Sequence, residues 1–180
     1  KNIPRRPKRY FVPFVFSPRQ TRILIETVGK NIRKRESCFL RDTAIYLAIV
    51  MMARCGMRIN EPLHLQRCHY RKEEATVYIH RTKFRKDRLV PLPKAVLAEI
   101  ENYLTLRKIV CPNDQNPYLL AGRGQAPLND YHIRRAFHRA VRHIGLLLLR
   151  ARGSDQISDK TRPSAANGTT YFPVVFRPAR

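Results

Sequence analysis

The chain has 180 residues and a mass of 21.1 kDa, which suits one domain with short extensions. Hydrophobic residues make up 43%, enough for a sizeable core, so wholesale disorder is excluded. Lysine and arginine number 36 against 13 acidic residues, a net charge of +23 that favours a polyanionic partner, nucleic acid before an anionic membrane surface.

The four cysteines, Cys38, Cys55, Cys68 and Cys111, form no CxxC pair and are sparse for a secreted scaffold. They read as reduced thiols of a cytosol. The longest apolar stretch, residues 43–53, falls short of the ~18 residues of a membrane span, and Arg41, Asp42 and Arg54 bracket it. No charged start leads into an apolar run, so no signal peptide is expected.

Residues 1–18 carry four prolines, and the first nine hold five basic residues and no acid. That composition predicts an extended basic interdomain linker over 1–9. Ser17-Pro18 opens a helix, serine as N-cap and proline at N1, with Ile23, Leu24 and Val28 as its apolar face and an end near Gly29. A charged connector over 30–36 follows. Residues 39–54 hold Leu40, Ile45, Leu47, Ile49, Val50, Met51 and Met52, apolar nearly all round, which marks a buried central helix. Gly56 fits the left-handed residue after it. Asn60-Glu61-Pro62 is expected to cap and open a short helix through Leu65.

The period then changes to two. Thr76-Val77-Tyr78-Ile79-His80 alternates, with Val77 and Ile79 on one face. The turn Lys83-Phe84-Arg85-Lys86-Asp87 leads into Arg88-Leu89-Val90-Pro91-Leu92, giving a β-hairpin with a cationic tip. Pro93 begins a helix with Val96, Leu97, Ile100, Tyr103 and Leu104 at helical spacing. Tyr118-Leu119-Leu120 is a short apolar segment that can join the hairpin in a small antiparallel sheet. Asn129 or Asp130 caps a last helix whose stripe is Ile133, Phe137, Ala140, Val141 and Ile144, ending at Gly145. Residues 150–180 show no period and read as an irregular, disordered tail. The expected fold class is α+β, mainly helical.

The order is therefore buried helix, Gly56-Met57-Arg58-Ile59-Asn60-Glu61, then a hairpin holding Thr82-Lys83 and Arg88-Leu89-Val90-Pro91-Leu92. This resembles the first half of the catalytic domain of tyrosine recombinases, the phage integrase family, over residues 10–149. Those enzymes carry a G-[LM]-R-x-x-E box after a buried helix, then a TK or GK lysine and an R-x-V-P-L strand. The resemblance implies DNA integration and site-specific recombination on double-stranded DNA in a bacterial cytoplasm or nucleoid, together with other recombinase protomers. It implies no cofactor, because bond energy is conserved in a phosphotyrosine.

Breaking a phosphodiester with a tyrosine requires its non-bridging oxygens to be clamped as charge builds in line. A planar guanidinium does this with two parallel donors. By resemblance Arg58 is that clamp and Glu61, within helical reach, orients it. Lys83 resembles the lysine that protonates the departing 5′ oxygen. Arg81, Arg85, Lys86 and Arg88, with Arg134 and Arg135 on the last helix, are candidates for gripping backbone phosphates.

The family's second box, H-x-x-R, is due after Gly145 and is not there. His132-Ile133-Arg134-Arg135 has the spelling but sits in the preceding helix, where a solvated basic face is the simpler reading. His64-Leu65-Gln66-Arg67 lies beside the first box. The nucleophile is unassigned: Tyr171, in Thr169-Thr170-Tyr171, is the candidate, although no Gly-His pair precedes it and Pro173 follows. Cys55, His64, Cys68 and His69 match no zinc spacing, so no metal site is expected. The loss of pattern where the box is due leads us to expect a truncated, catalytically impaired integrase, frameshifted soon after Leu146. A non-catalytic duplex-DNA-binding module and a basic RNA-binding protein are the competing readings.

Overall fold

Three buried side chains, Leu24, Ile25 and Val28, fix how the first helix, α1 (Pro18–Lys30), meets the rest of the molecule. Ile23, assigned above to its apolar face, points outward, because the burial arc is centred one residue further on. The helix starts as Ser17-Pro18 dictates. Ser17 Oγ accepts the Gln20 N–H at 3.2 Å and Gln20 Oε1 accepts the Ser17 N–H at 2.8 Å, a reciprocal capping box. The computed structural model of the chain describes residues 15–80 and 87–143, the side chains of Glu36 and His143 apart. The linker 1–9, the tip cations Arg81, Lys83, Arg85 and Lys86, Tyr171 and the tail 150–180 lie outside the described residues.

The second helix, α2 (Glu36–Cys55), is the axle of the fold. Ala44, Ile45, Leu47, Ala48, Ile49, Val50, Met51 and Ala53 are all buried, and α1 packs on it. A helix apolar on every side cannot face water, so neighbours must cover it. Each fully buried aliphatic side chain contributes about 1.5–3 kcal/mol, which makes this helix the main source of stability. It ends at Gly56, with φ 64° and ψ 30°. A Cβ at Gly56 would meet nothing within 4 Å, so the glycine serves the left-handed backbone and not a crowded space.

A short helix, α3 (Asn60–His64), follows and packs on α2. Asn60 is not its N-cap, contrary to the sequence expectation; Ile59 holds that position and makes no side-chain cap bond. The Glu61 carboxylate instead reaches back past the cap and accepts the Arg58 N–H. A 3-10 turn (Arg67–His69) leads into a three-stranded antiparallel sheet in the order β1 (Tyr70–Arg71), β2 (Thr76–Ile79), β3 (Arg88–Pro91). Thr76 pairs with Pro91, Val77 with Val90, Tyr78 with Leu89 and Ile79 with Arg88. Val77, Ile79, Val90 and Leu92 are buried beneath the sheet, as their alternation requires.

The third strand is β1, not the segment near Leu119. Tyr118 makes only an isolated bridge with Gln66. The reason is Arg107, a buried residue of α4 (Lys94–Val110), whose guanidinium captures the carbonyls of Tyr118 at 2.6 Å and Leu119 at 3.0 Å. Those acceptors are therefore lost to a ladder. Val96, Ile100 and Tyr103 of α4 are buried, and α4 packs along α2. The last described helix, α5 (Asp130–His143), packs on α1 and α2. Asn129 Oδ1 accepts the Tyr131 N–H at 2.8 Å, which settles the cap in favour of Asn129. Ile133 and Ala140 are buried, and Phe137 meets Phe16 edge-on with centroids 5.9 Å apart. The architecture is mainly helical with one small antiparallel sheet.

Candidate functional site

Arg58 sits two residues beyond Gly56, where the left-handed turn throws the chain out of the core. Its neighbour Met57 is buried and anchors the turn, while the Arg58 side chain remains 58% exposed. The Glu61 carboxylate holds it by two bonds among the described residues. The Arg58 N–H donates to Glu61 Oε2 at 2.7 Å and its Nη1 donates to Glu61 Oε1 at 3.2 Å. One carboxylate thus fixes both the backbone and the side chain of the arginine. Nε and Nη2 make no hydrogen bond among the described residues.

Glu61 is itself buried, with a side chain 7% exposed. A buried carboxylate is tolerated only when its oxygens are satisfied. The third donor comes from far along the chain: Arg88 Nη2, at the start of β3, reaches Glu61 Oε2 at 2.6 Å. Arg88 Nε is buried and makes no hydrogen bond among the described residues. The expected support of Arg58 by Glu61 is present. The second guanidinium on the same carboxylate is the contact that sequence reasoning missed, and only the β2–β3 register, which sets Arg88 opposite Ile79, could have suggested it.

Beside this cluster lies a groove of ≈ 600 Å³ lined in part by Arg58, Glu61, His64, His69, Tyr78 and His80. At its far side the hairpin narrows to a clasp. Tyr78 Oη donates to Asp87 Oδ2 at 2.5 Å, and His80 Nδ1 stands 3.2 Å from Asp87 Oδ1. His80 and Asp87 flank residues 81–86, so this clasp closes the neck of the segment carrying Lys83. The clasp was also missed. Once Ile79 pairs with Arg88, positions 80 and 87 must face each other, so exact register was the signal needed.

The hydrogen bond to Asp87 holds the Tyr78 phenol above its ordinary range, and burial does the same for Tyr46, Tyr70 and Tyr103. A phenol held protonated is a poor nucleophile.

The other sequence candidates separate. Arg134 Nε donates to Asp130 Oδ2 at 3.0 Å, one turn back on α5. Arg135 lies with His132 and Arg139 at a cleft between α1, α2 and α5 that does not include Arg58. In the other H-x-x-R spelling, His64 Nδ1 is 2.8 Å from the Asn60 carbonyl while Arg67 Nη2 donates to Asp114 at 3.1 Å, so the two side chains serve different contacts. Cys38, Cys55, Cys68 and Cys111 are free thiols, and burial pushes Cys55 up to about 11.

Comparison with known proteins bears on the family and the fold. The phage integrase family model matches residues 19–166, a span that includes Arg58, Glu61, Lys83 and Arg88. The integrase/recombinase y4rB of Sinorhizobium fredii is 29% identical over 145 residues, covering 80% of this chain and 46% of that protein. Among solved structures, the XerH site-specific recombinase bound to difH substrate in a pre-cleavage complex matches with a TM-score of 0.60 at 22% identity, over 74% of this chain and 38% of that one. The XerA recombinase matches with a TM-score of 0.58 at 20% identity, over 76% of this chain and 45% of that one. The chain spans less than half the length of these relatives. With its matched span well over half of the sequence, the chain belongs to the phage integrase family.

Proposed function

We propose that this chain acts on double-stranded DNA in integration or site-specific recombination, supplying the phosphate clamp of the strand-exchange site. Arg58 is the clamp. Its Nε and Nη2 donors address two non-bridging oxygens of one phosphodiester, and Glu61 prevents the guanidinium from swinging away. Lys83, carried on the hairpin beyond the His80–Asp87 clasp, donates a proton to the departing 5′ oxygen. Arg81, Arg85 and Lys86 grip neighbouring phosphates, and Arg88 holds Glu61 from the strand side. The work takes place on nucleoid DNA in a bacterial cytoplasm, with other protomers of the same kind on the duplex.

The observation that carries this reading is a solvent-facing arginine whose backbone and side chain are both held by one buried carboxylate. An arginine kept for surface charge needs no such support. The reaction it serves would form a bond from a tyrosine oxygen to phosphorus and break the bond to the 5′ oxygen, which leaves with the proton from Lys83.

A second reading, binding without cleavage, is favoured by one feature: residues 144–180 contain no histidine, so the H-x-x-R box is absent from that stretch. A nicked suicide duplex separates the two. A covalent protein–DNA adduct means strand breakage; salt-sensitive binding with no adduct means a binding module. If the chain prefers RNA to duplex DNA at matched salt, both readings fall.

A further inference from the structure

We propose that the cleft where α1, α2 and α5 meet is a second phosphate-binding site, taking a backbone phosphodiester of the duplex that Arg58 engages. This rests on the DNA reading above and extends it to a separate part of the molecule. The cleft is ≈ 260 Å³, and its polar lining includes Arg33, Arg41, Asp42, His132, Arg135 and Arg139. Four guanidiniums and an imidazole surround a single carboxylate.

That carboxylate is already engaged. Arg33 grips Asp42 with two parallel donors, Nε at 2.7 Å and Nη2 at 2.8 Å, and adds its backbone N–H at 3.3 Å. Arg41 comes no nearer than 3.9 Å. Burial favours the protonated acid, yet the Arg33 bonds outweigh it and hold Asp42 below the usual carboxylate range. Asp42 therefore organises the wall of the cleft without neutralising it.

Arg135 and Arg139 differ from the other cations of α5. Arg134 has Asp130, whereas Arg135 and Arg139 make no hydrogen bond or ion pair among the described residues. They stand one helical turn apart, and like charges at that spacing repel. His132 adds a third member to the same edge. The helix that bears them is held by buried Ile133 and Ala140 and by the Phe137–Phe16 contact, so the two positions stay one turn apart at the cleft edge without a ligand. Planar donors in excess of the one carboxylate around a concavity fit a phosphate group.

The two sites lie towards opposite ends of α2. Arg41 is in its second turn and Arg58 follows its C-terminus, roughly 20 Å apart along the axis. That span corresponds to about six base pairs of duplex, so one DNA molecule is long enough to reach both.

The test is the salt dependence of binding of the 180-residue chain to a labelled duplex of arbitrary sequence. Arg135→Gln/Arg139→Gln should weaken binding about equally for unrelated sequences. It should also lower the slope of log K against log salt by about 1.8, two phosphate contacts' worth. If the double variant loses its helical circular dichroism, Arg139→Gln alone gives the measurement, with a slope change of about 0.9. An unchanged slope and affinity in a folded variant overturns the proposal while leaving the DNA reading intact. A change in DNA-free self-association with DNA binding untouched also overturns it, since the occupant is then another protein. Absence of any duplex binding by the unsubstituted chain removes the DNA reading itself, and this site with it.

Discussion

Two arginines, Arg107 and Arg58, are each held by a carboxylate, and they end in opposite states. Arg107 is 2% exposed and spends its donors inside the molecule, on Asp114, the carbonyls of Tyr118 and Leu119, and the Asn116 carbonyl at 2.8 Å. Asn116 passes the tension on, donating to the carbonyls of Gly124 and Ala126. The loop after α4 is organised around one guanidinium that makes four hydrogen bonds. Arg58 makes one side-chain bond among the described residues and is 58% exposed, so the rest of its fork faces solvent. The partner chemistry is the same, so residue type does not separate a structural arginine from an available one. What separates them is how many donors remain after the carboxylate is satisfied.

The largest effect that would break this contrast is on folding. Arg107→Ala takes the side-chain donor from the carbonyls of Asn116, Tyr118 and Leu119 and leaves Asp114 with Arg67 and the Asn116 N–H, and should cost about 3–5 kcal/mol in urea unfolding. A loss below about 1 kcal/mol would mean that the loop finds other donors. Glu61→Ala should cost less, about 1–3 kcal/mol, since the two guanidiniums it releases can turn to water. The same substitution should weaken duplex binding, whereas Glu61→Gln, keeping one acceptor, should fall between.

Acid comes next. Asp114 sits in a partly buried place that disfavours its charge, but Arg107 holds it below the usual range; Glu101 is held down by Lys72 and Tyr70. Their stabilisation is complete above the ordinary carboxylate values and is lost as pH falls through their lower folded values. The urea midpoint should stay flat from neutrality to about pH 5 and drop below about pH 4. In Arg107→Ala the drop should be smaller. The smallest effect on stability belongs to Arg58→Ala, within about 0.5 kcal/mol, although its loss of DNA binding or adduct formation should be large. A strongly destabilised Arg58→Ala would erase the distinction between the two arginines.

Much of the fold was legible because periodicity is a direct imprint of burial. The all-apolar run of α2, the alternation of Val77 and Ile79, the stripe of α5 and the signals at Ser17-Pro18 and Gly56 each correspond to an observed element. The stretch between α4 and α5 was not legible, since Arg107 and Asn116 hold it by side-chain bonds to carbonyls that leave no repeat. β1 escaped notice because two residues cannot show a period. At the site, Arg58 and Glu61 were readable through the resemblance of the 56–61 box to that of the family, their spacing of three adding only that the two side chains are within helical reach. Arg88 as the third member was not, because a contact between positions 61 and 88 exists only after the sheet has docked.

That last contact gives the molecule an internal gauge. The amide proton of Arg58 is bound by the same carboxylate oxygen that Arg88 grips from the strand. Release of β3 loosens Glu61, and a loosened Glu61 exposes that proton to solvent. Deuterium uptake at this single backbone position therefore tracks the seating of the hairpin, and a duplex that settles the hairpin should slow it.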